Sequence, residues 1–118
     1  MISSNAYTLI KAEGITHQMK LNEILFAEAK GNYTHVFGES RILKPKIALS
    51  EFEKLLPAGQ FLRVHRSFII NREKIKHIAG NSIHLDKYVI PLGGSFREDF
   101  FNTLSRPGKY SNGRSAFE

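Results

Sequence analysis

The chain has 118 residues, which is enough for one domain with a modest hydrophobic core. It has no run of the ~18 apolar residues that a membrane-spanning helix needs, no signal-peptide pattern at its start, and no cysteine for disulfides or thiolate metal sites. Its 17 Lys and Arg against 11 Asp and Glu give a net charge of +6, which favours a polyanionic partner over an ordinary solvated surface by roughly two to one.

The first part of the chain alternates β-forming segments with turn residues. Segment 22–29 fits either a strand or a helix by periodicity, because short apolar runs do not discriminate between the two. Gly31 and Asn32 interrupt it and favour a strand. Gly14 and the segment 38–40 supply the other turns. We therefore expect strands at 7–11, 15–19, 22–29, 33–37 and 41–44.

One segment has a clear helical pattern. Leu49, Phe52, Leu55 and Leu56 fall on one face of a helix that ends at Pro57. Ser50 and Glu53 have the spacing of a capping box, although the helix boundary could instead lie at Ala48. A helix this short needs a sheet to pack against.

The rest of the chain has the pattern of a β-meander with tight turns, followed by a short helix. The helix is expected at 95–104, capped by Ser95 with Glu98 three residues later. The strands are expected at Phe61–His65, 68–70, around Ile75 and Ile78, at Ser82–Leu85 and at Tyr88–Pro91, with turns at 66–67, 80–81 and 86–87. The sum is a mainly β domain with one or two short helices.

The composition suggests three parts of the chain. Residues 1–6 are small and polar and are read as an N-terminal tail or a cloning remnant without a role in the fold. Residues 7–104 form the domain. Residues 105–118, rich in Gly, Ser and basic side chains, are expected to be a disordered basic tail.

The sequence offers no catalytic or metal-binding pattern. Its five histidines form no HxH or HExxH arrangement, and its carboxylates are not paired at a telling spacing. Gly93, Gly94 and Ser95 lack the rest of a phosphate-binding loop and are read as a turn. We therefore expect no enzyme, no cofactor and no metal site.

Three stretches, taken in order, resemble the LytTR family of bacterial DNA-binding domains. Residues 23–34 (EILFAEAKGNYT) are similar to that family's apolar strand and its Gly-Asn-Tyr turn. Residues 61–71 (FLRVHRSFIIN) match its most recognisable signature nearly residue for residue. Residues 90–97 (IPLGGSFR) resemble its closing strand, Ser and aromatic-Arg pair. With the helix at the expected place between the first two, the resemblance covers roughly residues 7–104.

The resemblance implies small packed antiparallel sheets in a β-sandwich-like fold, and DNA binding by loops that enter successive major grooves on one side of a duplex. It also implies the output module of a two-component transcriptional regulator, acting in the cytoplasm on promoter DNA, most often at paired sites. An upstream receiver domain and a cognate histidine kinase would then be partners. No receiver is present in this sequence, so the chain is either an excised domain or a stand-alone protein.

Arg97 lies at the position of the family's base-contacting Arg. Its guanidinium can donate two parallel hydrogen bonds to guanine, although a salt bridge on the helix surface, for example with Glu98, would also explain it. The loop 30–34 is the second expected base reader through Asn32, Tyr33 and Thr34. Some family members carry a base-reading His where this chain has Thr34.

Arg66 and Ser67 interrupt two apolar strands and should lie at an outward-facing bend. Arg66 is expected to contact a base edge or a phosphate. His65 could equally hold the bend through a backbone hydrogen bond. The expected phosphate contacts are Lys30, His35, Lys44, His65, Ser67, Arg72 and Ser95, with Lys74 as a further candidate.

Two alternatives from other classes remain open. One is a protein-interaction or ligand-sensing β domain whose basic surface is incidental. The other is RNA binding, which small basic β domains achieve by stacking bases on aromatic side chains. Most aromatic residues of this chain fall at expected core positions, which leaves chiefly Tyr33 for stacking. RNA binding is therefore ranked last.

Overall fold

The computed structural model describes residues 6–106, so most of the two expected tails (1–6 and 105–118) lies outside the described residues. The described chain forms ten strands, two α-helices and three single 3₁₀ turns. The strands are β1 (Tyr7–Ala12), β2 (Ile15–Lys20), β3 (Ile24–Lys30), β4 (Tyr33–Gly38), β5 (Ile42–Leu43), β6 (Phe61–His65), β7 (Phe68–Asn71), β8 (Ile75–Ala79), β9 (Ser82–Leu85) and β10 (Tyr88–Pro91). The helices are α1 (Leu49–Glu53) and α2 (Arg97–Ser105), and the 3₁₀ turns are Leu21–Glu23, Arg72–Lys74 and Gly94–Phe96.

All strand pairs are antiparallel and form three small sheets. A central sheet has the order β5-β4-β3-β7-β6, a hairpin consists of β1 and β2, and a third sheet has the order β10-β9-β8. The prediction of a mainly β fold built of small antiparallel sheets is confirmed.

The central sheet is buried on both faces by two separate hydrophobic clusters. On one face the β1–β2 hairpin and α1 cover it, with Met19 and Phe52 almost fully buried. On the other face the three-stranded sheet and α2 cover it, with Ile83 and Phe100 almost fully buried. Burial on both faces explains why β3 has a continuous apolar run instead of the alternation of a half-exposed strand.

Irregular pairing changes which face a residue of β3 meets. The register of β3 against β4 shifts between Ile24 and Phe26. Ile24 packs in the first cluster, whereas both Leu25 and Phe26 pack in the second. An extra residue at a β-bulge breaks the strict alternation of side chains in this way. A second shift, between Arg63 and His65, lies in β6 just before the β6–β7 turn.

A fully buried polar side chain, that of Asn71, joins distant parts of the chain. Asn71 at the end of β7 has an exposed fraction of 0%. Its Nδ2 donates to the carbonyl oxygens of Leu21 (3.3 Å) and Ile24 (2.9 Å), and its Oδ1 accepts from the N–H of Glu73 (3.0 Å). Asn71 thus fixes the start of β3 against the end of β7.

The structure decides between the two boundaries left open for α1 and contradicts the cap expected for α2. The N-cap of α1 is Ala48, the alternative boundary, so Ser50 lies inside the helix and makes no cap hydrogen bond. The N-cap of α2 is Phe96, because a 3₁₀ turn occupies residues 94–96, and Ser95 therefore does not cap α2. Leu55 was expected on the buried face, but α1 ends at Glu53 and Leu55 is 50% exposed.

Three boundaries also differ from the sequence-based expectation. Asn22 belongs to a 3₁₀ turn instead of a strand. Ala6 takes part in the fold, since its carbonyl accepts from the N–H of Leu21 at 3.0 Å and its side chain packs against the first cluster. Ser105 is the last residue of α2 and not the start of a tail. No helix within residues 6–106 is long and apolar enough to cross a bilayer.

Candidate nucleic-acid interface

The β3–β4 turn projects a small polar tip from the central sheet. Gly31 has φ +60°, the positive value that a two-residue hairpin turn needs at its first central position. No atom lies near the place where a Cβ of Gly31 would be, so the tip is surrounded by open space. Asn32 is exposed, Tyr33 is 44% exposed, and Lys30 lies 3.6 Å from the carboxylate of Glu28.

Thr34 does not belong to this exposed tip. It shares the inward face of β4 with Val36, its exposed fraction is 0%, and its Oγ1 donates to the carbonyl oxygen of Ile47 at 2.7 Å. The expectation that Thr34 reads a base is therefore corrected. Thr34 holds the 45–48 segment, which leads into α1, against the start of β4.

The β6–β7 turn presents Arg66, which is exposed. The neighbouring Arg63 holds the backbone of this turn, because its Nε donates to the His65 carbonyl (3.0 Å) and its Nη2 to the Arg66 carbonyl (2.6 Å). Nη1 of Arg63 reaches the carboxylate of Glu53 at the end of α1 (3.1 Å). This role of Arg63 was not predicted from the sequence, because it depends on contacts that no spacing indicates.

His65 takes the first of its two expected roles, that of holding the bend. Its Nδ1 accepts a hydrogen bond from the Ser67 N–H at 3.0 Å, and its ring meets Phe68 edge-on with the centroids 5.6 Å apart. With Nδ1 occupied, only the Nε2 side of the ring remains for a phosphate. Ser67 itself is half-buried.

Arg97, the first residue of α2, is exposed and lies against the β8–β9 turn. Its Nη1 donates to the Gly80 carbonyl (3.2 Å) and to Oδ1 of Asn81 (2.8 Å), and its guanidinium carbon lies 4.9 Å from the centre of the Phe101 ring. No ion pair with Glu98 is present among the described residues. Asn81 was read from sequence only as a turn residue, and its contact with Arg97 was missed.

These turns lie side by side at one end of the molecule. The Ala29 N–H donates to the Ser67 carbonyl (2.9 Å), which joins the β3–β4 turn to the β6–β7 turn. The Gly93 N–H donates to the Val64 carbonyl (2.7 Å), which brings the segment before α2 beside β6. We call residues 30–33, 66–67, 80–81 and 93–97 the loop end. At about 4.8 Å per hydrogen-bonded strand, the steps from β3 to the 93–97 segment cover roughly 15 Å.

The remaining predicted phosphate contacts divide between the two ends of the central sheet. Lys44 is exposed beside the start of β4, and the half-buried His35 follows the β3–β4 turn in β4. Ser95 is exposed within the loop end. Arg72 and Lys74 lie at the other end.

Arg72 and Lys74 have partners that give them structural roles. Arg72 donates to the carbonyl oxygens of Gly59 (3.3 Å), Thr103 (3.5 Å) and Leu104 (3.4 Å), where it satisfies the last turn of α2. Lys74 lies 2.7 Å from the carboxylate of Glu39. The expectation that these two side chains contact the same ligand as the loop end is corrected.

The loop end therefore combines three exposed cations with short polar groups. Lys30, Arg66 and Arg97 project from neighbouring turns, and Asn32 and Ser95 are exposed between them. Residues 6–106 contain no group of three or more His, Cys, Asp or Glu side chains that could hold a metal ion. Such a surface suits hydrogen bonding to an extended polyanion.

Comparison with known proteins finds similarity to DNA-binding domains and to transcriptional regulators. The model of the LytTr DNA-binding domain matches residues 15–105. The transcriptional regulatory protein NatR of Bacillus subtilis is 35% identical over 82 residues, covering 70% of this chain and 35% of NatR. The transcriptional regulatory protein YpdB of Escherichia coli is 33% identical over 75 residues, covering 64% of this chain and 30% of YpdB. The chain thus spans about a third of the length of these relatives.

A solved structure extends the likeness to the fold. The LytTr DNA-binding domain of a methyl-accepting/DNA response regulator from Bacillus cereus superposes with a TM-score of 0.72 at 29% sequence identity. The match covers 85% of this chain and 97% of that domain.

Proposed function

The chain belongs to the LytTR family of DNA-binding domains, and we propose that it binds promoter DNA sequence-specifically by inserting the turns of the loop end into the major groove. The observation that carries this proposal is that three turns distant in sequence, near residues 31, 66 and 97, form one row held by backbone hydrogen bonds. A row of roughly 15 Å can meet one side of a duplex whose major groove is about 12 Å wide.

In this proposal Arg97 reads a base. An arginine can donate two hydrogen bonds to O6 and N7 of guanine, the commonest specific contact in the major groove. The β3–β4 turn supplies Asn32 and Tyr33 as further readers, because its tip is small and open. Arg66 also lies on this surface, and its guanidinium can reach either a base edge or a phosphate.

Phosphate contacts would hold the domain in register without reading sequence. Lys30, Lys44 and Ser95 are exposed, while His35, His65 and Ser67 are half-buried near the same turns. Their positive and polar groups suit the phosphates that flank a groove. The strength of this part of the binding should fall steeply as salt is added, because each neutralised phosphate releases counterions.

For the whole protein we propose the role of its relatives, which are transcriptional regulators and not enzymes by name. In that role a receiver domain, controlled by a histidine kinase, would govern binding to paired promoter sites in the bacterial cytoplasm. Since the chain spans about a third of these relatives, this part of the proposal concerns a longer protein than the chain itself.

The test begins with duplexes selected from a random pool by the wild-type domain. Arg97→Ala should weaken binding to the selected duplex by about 1–3 kcal/mol and change binding to random duplex little. Arg66→Ala should weaken both. If Arg66 contacts a phosphate, it should also reduce the slope of log K against log salt by about 0.9. The matched control is Asn102→Ala, because Asn102 is an exposed residue of α2 that lies on a different side of the helix from Arg97. Equal losses on both duplexes for Arg97→Ala would contradict base reading by Arg97.

A further inference from the structure

We propose that Asn81 is a positioning residue for Arg97, and that together with Gly80 it turns the Nε–Nη2 edge of Arg97 towards the DNA. The inference rests on the proposed function, because it specifies how the base-reading guanidinium is held before DNA arrives. The contact joins Arg97, at the start of α2, to Asn81 in the β8–β9 turn, 16 residues earlier in the sequence.

Nη1 of Arg97 has two acceptors within the protein. A guanidinium has five N–H donors in a fixed plane, two of them on each Nη and one on Nε. Oδ1 of Asn81 lies 2.8 Å from Nη1, and the Gly80 carbonyl oxygen lies 3.2 Å from it. The end of the guanidinium formed by Nη1 and Nη2 can therefore not offer two free parallel donors without breaking one of these bonds.

The opposite edge of the same group has no acceptor within residues 6–106. Both hydrogen bonds that the guanidinium donates to described residues start at Nη1, and neither starts at Nε or Nη2. This edge also carries two nearly parallel N–H groups, which match the spacing of O6 and N7 of guanine. The structure therefore assigns base reading to the Nε–Nη2 edge.

The partners of Arg97 are themselves held in place. The Asn81 carbonyl accepts from the Leu92 N–H at 2.8 Å, which fixes the β8–β9 turn to the chain that leaves β10. Gly80 has φ +60°, so its carbonyl direction depends on a conformation that other residues rarely adopt. The guanidinium carbon of Arg97 also lies 4.9 Å from the centre of the Phe101 ring. These contacts restrain both the orientation of the guanidinium plane of Arg97 and the rotation of the guanidinium about its Nε–Cζ bond.

Restraint before binding should increase affinity for the specific site. Immobilising a flexible side chain at an interface weakens binding by a factor of about 2 to 10, and a side chain that is already ordered avoids most of this loss. Removing the Asn81 side chain should therefore weaken specific binding by about this factor. It should leave binding to random duplex unchanged, because no phosphate contact is lost.

The first experiment needs no DNA. Rotation about the Nε–Cζ bond of Arg97 exchanges Nη1 with Nη2, and nitrogen-15 exchange spectroscopy on the unbound domain measures its rate. We expect slow exchange in the wild type, faster exchange in Asn81→Ala, and slow exchange again in Asn81→Asp, which retains an oxygen acceptor. Asn102→Ala should behave as the wild type does. Fast exchange in the unbound wild type, or no change in Asn81→Ala, would overturn the inference.

The second experiment is a double-mutant cycle on a selected duplex. Asn81→Ala should weaken binding about 2- to 10-fold in the wild-type background with an unchanged salt slope, and should have no effect when Arg97 is already Ala. An equal loss in both backgrounds would overturn the inference, because Asn81 would then act on DNA directly. Failure of the wild type to select any duplex would overturn the proposed function instead, whereas the exchange rates of the unbound domain test the Asn81–Arg97 contact separately.

Discussion

Replacing Asn71 by Ala should destabilise the domain severely, although Asn71 lies far from the loop end. Its amide makes three hydrogen bonds from a fully buried position, to the carbonyls of Leu21 and Ile24 and from the N–H of Glu73. The shorter Ala side chain can make none of them. The space that the amide leaves is enclosed by the protein, so water cannot easily replace it.

The size of the effect follows from the three partners. The Leu21 carbonyl also accepts from the Ile24 N–H, so it retains one partner. The loss there is about 1 kcal/mol, as it is for the Glu73 N–H, which lies near the surface. The Ile24 carbonyl loses a donor at 2.9 Å in the interior, at a cost of about 1–3 kcal/mol. The total is about 3–5 kcal/mol, a large part of the 5–15 kcal/mol that typically stabilises a domain.

Urea unfolding followed by circular dichroism measures this difference. The midpoint should fall while the slope of the unfolding free energy against urea concentration stays the same, which separates a stability change from a change in compactness. Asn102→Ala, at an exposed position, should stay within about 0.5 kcal/mol of the wild type. A loss below about 1 kcal/mol in Asn71→Ala would refute the assignment of these bonds as structural.

Three further predictions follow from the corrected site. Thr34→Val should lower the unfolding free energy by about 1–2 kcal/mol, since it loses the bond to Ile47, and should leave base preference in a selection experiment unchanged. Arg72→Met should lower stability by a similar amount in urea unfolding, without altering the salt slope of DNA binding. Arg63→Met should weaken specific DNA binding in titrations because it frees the β6–β7 turn. Glu53→Gln leaves the hydrogen bonds from Arg63 to the His65 and Arg66 carbonyls intact and should weaken DNA binding much less. Equal losses in the two variants would contradict the role of Arg63 in holding the β6–β7 turn.

The strands were predictable because their signals are local. Runs of β-branched and aromatic residues end at Gly31, at the Arg66-Ser67 pair and at Gly80, and the structure turns at each of these places. The helix caps were not predictable in the same way. Ala48 is the boundary of α1 although Ser50 has the better capping side chain, and the chain just before Ala48 is held by the hydrogen bond from Thr34 to the Ile47 carbonyl.

The site was predicted in outline, and its errors have a common cause. Thr34 was assigned to the loop tip, although the alternation of β4 turns it inward with Val36. Arg72 was judged by its charge alone, which gives no information on the carbonyls at the end of α2. The partnership of Arg97 with Asn81 depends on tertiary packing between two turns, and no pattern in one sequence reveals it.

The hydrogen bonds that hold the turns of the loop end at fixed distances from one another are formed by the main chain. The amides of Ala29 and Gly93 and the carbonyls of Ser67 and Val64 supply them, and every residue type offers the carbonyl while all but proline offer the amide. Exposed side chains such as those of Asn32 and Arg66 can consequently be exchanged while the frame that carries them stays in place. Such an arrangement lets one scaffold acquire a new target preference through a few substitutions, with little penalty to folding.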